Sequence, residues 1–475
     1  MSEVPVNNKP LGGAHNDVRR DSETYEYDNV GPGERDCDKP TASGIEDGKM
    51  EINGDDKAHD SDLRTIRKLL QIMIPYGGML STGFNMASTS IGAGILGLPA
   101  AFHSVGIIMA TVYLVLITAE TIYSTRLLVQ VSERTGLRSF EEMARQLLHP
   151  RADIVVAILR ALHTIGCSVA YVVTIGDLLR PILASFDSTP AFLRETKGIR
   201  LLQSGFWLVF MLPLVFQRQI NSLRYVSAVG ILFILYFAVV VVVHSAMNGM
   251  SANPRPAVRL VNTGNTALEG LGVIIFSYMC QINCVEVALE MRPRSLRRLT
   301  LCAFFSMTIC GLLYFVTGLF GYLDFGEVEG SILLKYNPLE QPQIFVSYIG
   351  VFIKICASFG LLNNACRSAL FPLIGWDPYT VAYWKYLIGA VLLAVLDLML
   401  GLFVPNVTMV LGFTGGVCGG SVGFILPALF IMYSGGWTLR SVGIVNYTCT
   451  YLVLFAGVVG VVFGTAATIY SAVGG

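Results

Sequence analysis

The stretch Phe84-Asn85-Met86-Ala87-Ser88-Thr89-Ser90-Ile91-Gly92-Ala93-Gly94-Ile95-Leu96-Gly97-Leu98-Pro99-Ala100-Ala101-Phe102 decides the fold. It is apolar enough to enter a bilayer, yet it holds Gly92, Gly94, Gly97 and Pro99, the residue types least suited to a continuous helix. The bilayer interior offers no water to stray N–H and C=O groups, so irregular backbone persists there only where it lines a cavity or is buried in protein. A helix broken at Ile91–Gly94 presents carbonyls at the end of its first half and amides at the start of its second, suited to a cation and an anion. The same glycines equally suit close helix contact through small residues. Glycines alone do not separate these two readings.

The rest of the chain has the composition such a segment requires. Of 475 residues, 53% are hydrophobic and only 14% charged. The charges are unevenly spread: residues 1–68 carry 10 Lys/Arg and 16 Asp/Glu, leaving 23 and 17 for the other 407 residues. The formal neutrality is thus a tail at −6 and a body at +6. The tail has acidic runs such as Asp55-Asp56 and almost no apolar periodicity, which reads as a disordered acidic cytosolic extension. It has no basic start followed by an apolar core, so the first span is expected to serve as its own insertion signal. The body reads as one transmembrane domain, 69–475. No basic run is interleaved with stacking aromatics, and a nucleic-acid partner is set aside. Nine of ten cysteines fall in or beside apolar segments and read as packing residues, with no metal or cofactor site expected.

Eleven segments approach 20 apolar residues: about 77–101, 103–129, 153–180, 203–217, 222–245, 267–291, 299–322, 343–366, 379–403, 407–432 and 442–468. With the N-terminus inside, thirteen arginines fall in inner loops against seven Lys/Arg outside, which places the N-terminus in the cytosol and the C-terminus outside. Segment 132–151, with its Glu, Arg and Leu periodicity, reads as an amphipathic helix at the inner interface.

The first-span signature, Phe84-Asn85, six residues, then Gly92-Ala93-Gly94-Ile95-Leu96-Gly97-Leu98, resembles the first helix of the amino acid/auxin permease family, which includes the sodium-coupled neutral amino acid transporters. Phe276-Ser277-Tyr278-Met279-Cys280-Gln281 through Glu290-Met291 resembles that family's broken sixth helix, and Arg367-Ser368 the inner end of its eighth. The resemblance covers nearly everything after residue 75. It implies an all-α LeuT/APC-type fold: five helices repeated upside down, about 77–245 and 267–432, plus an extra helix at 442–468. Five is odd, so the second set starts on the opposite side from the first. The sixth segment has no Gly or Pro at its centre, and its break rests on Ser277, Gln281 and Asn283 together with the resemblance.

By that resemblance the backbone around Thr89, Ser90, Ile91, Gly92 and Gly94 should cradle a substrate carboxylate, and Ser277, Tyr278, Cys280 and Gln281 its amino group. Helix-end amides complement an anion and free carbonyls a cation. Asn85 occupies the position that sodium-coupled relatives use for a cation ligand; an interhelical hydrogen bond would serve it equally. Lys354 falls about eleven residues, roughly 16 Å, into the eighth span, where a charge is costly and usually functional. With Ser358 one turn on, its ammonium could stand in for a metal ion and indicate proton-coupled or uncoupled transport. A pair with a carboxylate and misplaced span ends are the other readings. Glu286 and Glu290 share a helix face. Glu286 has three readings: it binds the side-chain cation of arginine or lysine, carries a coupling proton, or neutralises Lys354.

No nucleotide loop, metal cluster or nucleophile–base pair accompanies the spans, so no enzyme is expected. The leading reading is secondary active amino acid transport by alternating access, tilted toward cationic substrates, with H+ or Na+ as the candidate coupling ion and membrane lipids around it. Transport of neutral amino acids such as alanine or proline, and an amino acid sensor signalling through the tail, are the alternatives. The plasma membrane is favoured over a vacuolar or lysosomal one.

Overall fold

The computed structural model describes residues 77–186, 190–217, 221–250, 257–262, 265–377, 380–404 and 406–474. The expected tail, 1–68, and the loop residues Arg218 and Arg255 lie outside the described residues. The fold is all-helical, with no strand among the described residues. In chain order the helices are α1 (Met79–Ser90), α2 (Gly94–Val105), α3 (Ile107–Thr135), α4 (Phe140–Met143), α5 (Ala152–Ser185) and α6 (Thr196–Val215), followed by α7 (Asn221–His244). After α7 come α8 (Asn265–Ser277), α9 (Gln281–Glu290), α10 (Leu296–Phe325), α11 (Pro342–Leu370), α12 (Tyr383–Phe403), α13 (Val407–Tyr433) and α14 (Leu439–Tyr470).

Ten helical segments among the described residues are long and apolar enough to cross a membrane. The eleventh segment of the sequence reading is the first, which the structure divides into two 12-residue halves, α1 and α2, each too short to span. The sixth is also interrupted, between α8 and α9. These two broken segments occupy equivalent places in the two sets of five, and they sit at the centre. Every residue of α2 from Gly94 to Phe102 is buried, with α8 and α10 packed on it. The long partners α3 and α12 instead turn much of their apolar surface outward, as helices facing lipid do.

Local signals explain where helices stop. Gly136 ends α3 in the left-handed region, at φ 77°, a conformation that costs glycine no steric strain. The interfacial helix expected over 132–151 is therefore shorter: 132–135 belong to α3, and only Phe140–Leu148 forms a separate element, capped by Ser139 accepting from the Glu142 N–H at 3.1 Å. The fourth span starts at Thr196, earlier than expected: its first turns include the charged Lys197, which is exposed, and Arg200, which lies over the Phe403 ring at 5.3 Å. On the face opposite the start of α1, the loop carbonyls of Arg259 and Leu260 accept from the Ile107 and Ile108 N–H groups at 3.2 and 2.9 Å, satisfying the open end of α3. On that same face Asp324, at the end of α10, pairs with His244 at the end of α7 at 2.6 Å and accepts from the Tyr336 hydroxyl at 3.2 Å.

The six glycines of 412–423 lie in α13, which carries a π-helical stretch over Gly415–Ile425. They permit contact between backbones: a Cβ on Gly415 would run into the Gly272 carbonyl, and one on Gly420 would lie 2.7 Å from the Gly457 carbonyl. Close packing through small residues thus explains α13, whereas the glycines of the first span serve both packing and a break.

Candidate substrate site

The two interruptions are built differently. α1 stops at Ser90; Ile91 is extended (ψ 95°) with its N–H on the Ala87 carbonyl at 2.8 Å, and α2 resumes at Gly94. Glycine is required by what lies alongside. A Cβ on Gly92 would sit 2.9 Å from the Tyr171 hydroxyl, and one on Gly94 would reach 3.0 Å from the Ser277 Cα while overlapping its Oγ.

The second interruption lacks glycine and is held by its neighbours. α8 stops at Ser277 and α9 starts at Gln281, bridged by a tight turn in which the Cys280 N–H reaches the Tyr278 carbonyl at 2.7 Å. The Ser277 carbonyl, released from helix bonding, accepts from the Tyr314 hydroxyl of α10 at 2.8 Å. The Tyr278 hydroxyl bonds with that of Thr118 on α3 at 2.7 Å, its ring edge-on to Tyr314 at 5.2 Å. Tertiary partners thus supply what the opened backbone lost.

Both breaks border one cavity of about 100 Å³. Thr89, Ser90 and Gly92 line it from the first break, and Phe276, Met279 and Asn283 from around the second. α5 contributes His163, Thr164, Cys167 and Tyr171, and α11 contributes Leu361 and Leu362. The other expected site residues stand behind this lining. Ile91 is buried, Gly94 packs on Ser277, and Tyr278 is held by Thr118. Cys280 lies beside Thr125 at 3.9 Å, and Gln281 is 1% exposed with its Oε1 unpartnered among the described residues.

The α5 residues were not anticipated. His163 is 4% exposed, packs tilted against Phe276 with ring centroids 5.5 Å apart and has its Nδ1 unpartnered among the described residues. A visible signal existed: Arg160, His163, Thr164, Ser168 and Tyr171 interrupt an otherwise apolar span.

Residues 76–470 match the family described as transmembrane amino acid transporter protein. The chain belongs to this family. This amino acid transporter family member is 26% identical to vacuolar amino acid transporter 5 of Schizosaccharomyces pombe, over 76% of this chain and 86% of that protein. It is also 26% identical to sodium-coupled neutral amino acid transporter 7 of Xenopus laevis, over 78% and 87%. The crystal structure of MhsT in complex with L-phenylalanine superposes with a TM-score of 0.52 at 14% identity, covering 82% of this chain and 98% of that one. That likeness gives the LeuT-type fold, five plus five helices and one more. The family's proteins are transporters, and no enzymatic reading is needed.

Within this transporter the charged residues separate by location. Lys354 is 2% exposed near the middle of α11, its stem against Gly230 of α7, where a Cβ would come 2.7 Å from Lys354 Cδ. Ser358, one turn on, lies beside the Tyr171 hydroxyl at the cavity wall. Asn85 lies one turn before the cavity residues Thr89 and Ser90; its carbonyl accepts from the Thr89 hydroxyl at 2.9 Å. Glu286 is outside the cavity lining. Its side chain is 66% exposed and pairs with Arg160 at 3.7 Å, while Arg160 holds Glu141 of α4 at 2.6 Å. The Glu286 ion pair among the described residues is therefore with Arg160 and not with Lys354.

Proposed function

We propose that this chain carries a neutral amino acid across a membrane by secondary active transport, alternating access to the cavity between the two helix breaks. The observation carrying this reading is the convergence of both breaks on one cavity whose lining includes no carboxylate among the described residues. The first turn of α2 is proposed to offer amides to the substrate carboxylate, and the end of α1 carbonyls to its amino group. Phe276, Met279 and Leu362 leave a small, largely apolar space for the side chain. Glu286 supported a cationic substrate while its position was unknown; beside Arg160 and outside the lining, it supports that reading no longer.

The proposed transport is sodium-independent, driven by protons or by the substrate gradient, with the Lys354 ammonium occupying the neighbourhood a metal ion would need. The N-terminus is proposed to face the cytosol, and the membrane to be vacuolar or lysosomal, the alternative that the name of the fission-yeast relative favours over the plasma membrane. The tail, 1–68, is proposed as a separate cytosolic extension of the transmembrane domain.

Radiolabelled alanine uptake into proteoliposomes tests these points together. Excess unlabelled alanine or proline should suppress the signal and arginine should not, and Glu286→Gln should leave that ranking unchanged. Arginine as the strongest competitor, weakened by Glu286→Gln, would restore the cationic reading. Replacing sodium by choline should leave uptake unaltered; a strict sodium requirement would refute the coupling proposal. Lys354→Met should lower uptake at least about tenfold, a barrier change near 1.4 kcal/mol, with the protein still monodisperse.

A further inference from the structure

A second polar cavity lies away from the breaks, between α3 and the beginning of α14, on the face where α1 begins. Its volume is about 210 Å³. Arg126, Gln130 and Arg134 line one side, spaced four residues apart and therefore on one stripe of α3. Trp437, Ser441 and Asn446 line the other. Beside it, the Tyr123 hydroxyl donates to the Asn446 carbonyl at 2.9 Å and lies 3.0 Å from Thr450 Oγ1, which ties the two helices together.

The groups facing this space are donors in excess. Neither Arg126 nor Arg134 has an ion pair among the described residues, and no carboxylate is in the lining. The Trp437 indole N–H is buried with no hydrogen-bond partner among the described residues, and its ring stacks on Tyr447 at 6.3 Å and 16°. Buried donors are normally satisfied, so an indole N–H beside two guanidinium groups calls for an acceptor of negative charge. Arg440, exposed and next to Ser441, adds to the positive field. After a kink at Gly443 (φ 77°), α14 presents Ile444 and Val445, 69% and 70% exposed, beside the crevice. Donors beside an exposed apolar helix face match the two halves of a phospholipid.

We propose that this crevice binds a phosphate group, supplied by an anionic phospholipid whose acyl chains lie along α14. Arg126 and Arg134 would grip the phosphate oxygens, and the Trp437 N–H would donate a further hydrogen bond. The site lies on the extra helix beyond the two sets of five and is separate from the substrate cavity, so it stands whether or not the neutral-substrate reading does.

Native mass spectrometry of the purified full-length protein tests this, with phosphatidic acid, phosphatidylcholine and glycerol 3-phosphate as separate probes. Phosphatidic acid should be retained in preference to phosphatidylcholine, and Arg126→Gln/Arg134→Gln should weaken retention at least about tenfold. Arg145→Gln, which removes an exposed arginine paired with Asp153 on the same face, should not change it. Glycerol 3-phosphate binding as tightly as the lipid, and lost in the double variant, would keep the site and overturn the lipid as its source. Equal retention by wild type and double variant would overturn the site. Should the double variant aggregate, Trp437→Phe keeps the stacked ring and removes the donor; unchanged phosphatidic acid binding in that variant would equally overturn the proposal.

Discussion

Valine in place of Gly94 is expected to reduce uptake about a hundredfold, to near background, while the protein still reaches the membrane. Gly94 is the first residue of α2 and lies directly on Ser277, the last residue of α8. Even a methyl group there would approach the Ser277 Cα and Cβ to 3.0 Å and overlap its Oγ. Backbone cannot yield as a flexible side chain can, and overpacking of this kind costs about 1–3 kcal/mol. The upper part of that range corresponds to about a hundredfold in rate if the strain falls on the transport step. The break residues on either side would be pushed apart, and with them the cavity-lining residues Thr89, Ser90 and Gly92 on one side and Phe276 and Met279 on the other.

A compensating pair makes the argument specific. Gly94→Ala adds one methyl and should impair uptake less than valine. Ser277→Gly removes the Oγ and Cβ that the methyl meets, so the double variant should recover part of the lost rate. Failure of Ser277→Gly to improve Gly94→Ala would mean that Gly94 acts through backbone freedom and not through this contact.

The two breaks also show what a sequence reveals and what it withholds. The first was legible because its residue types are visible in one short stretch: three glycines and a proline are poor helix formers in any span, even though the contacts to Tyr171 and Ser277 that require glycine were not. The second has no such signal between Ser277 and Gln281. Its opened carbonyl is satisfied by Tyr314, 37 residues away, and its tyrosine by Thr118, 160 residues away. No short window of sequence contains these partners, and the break was placed by Ser277, Gln281 and Asn283 together with the family resemblance.

The same distinction divides the site. Thr89, Ser90 and Gly92 line the cavity because they flank or form the broken backbone itself. Glu286 was singled out by its place in α9, four residues before Glu290 and just past the break, which fixes a face of α9 but not what that face meets; it meets Arg160. α5 supplied residues that spacing could not connect to either break. The glycines of α13 meet the backbones of Gly272 and Gly457, partners that no short window of sequence places beside them.

Arg160 carries the second large effect. It is 8% exposed, one turn before His163 and Thr164, so it stands next to the cavity lining on α5. It joins three elements: its own helix, Glu141 of α4 at 2.6 Å, and Glu286 of α9 at 3.7 Å. The two arms are unequal. The Glu141 contact is short and its side chain is 22% exposed, whereas Glu286 is 66% exposed at a distance beyond direct hydrogen bonding. An exposed pair contributes less than about 1 kcal/mol, while removing one partner of a buried pair costs about 3–5 kcal/mol because the other charge is stranded. Arg160→Leu and Glu141→Leu should therefore each lower the thermal midpoint clearly and cut uptake at least about tenfold. Glu286→Leu should change uptake by less than about fivefold. In double-mutant cycles the Arg160–Glu141 coupling should exceed the Arg160–Glu286 coupling, and Arg160→Leu/Glu141→Leu should be more stable than Arg160→Leu alone because no stranded carboxylate remains. In the alternating-access reading proposed above, the weaker Glu286 arm is the one a transport cycle can break and remake. A larger coupling to Glu286 than to Glu141 would reverse that assignment.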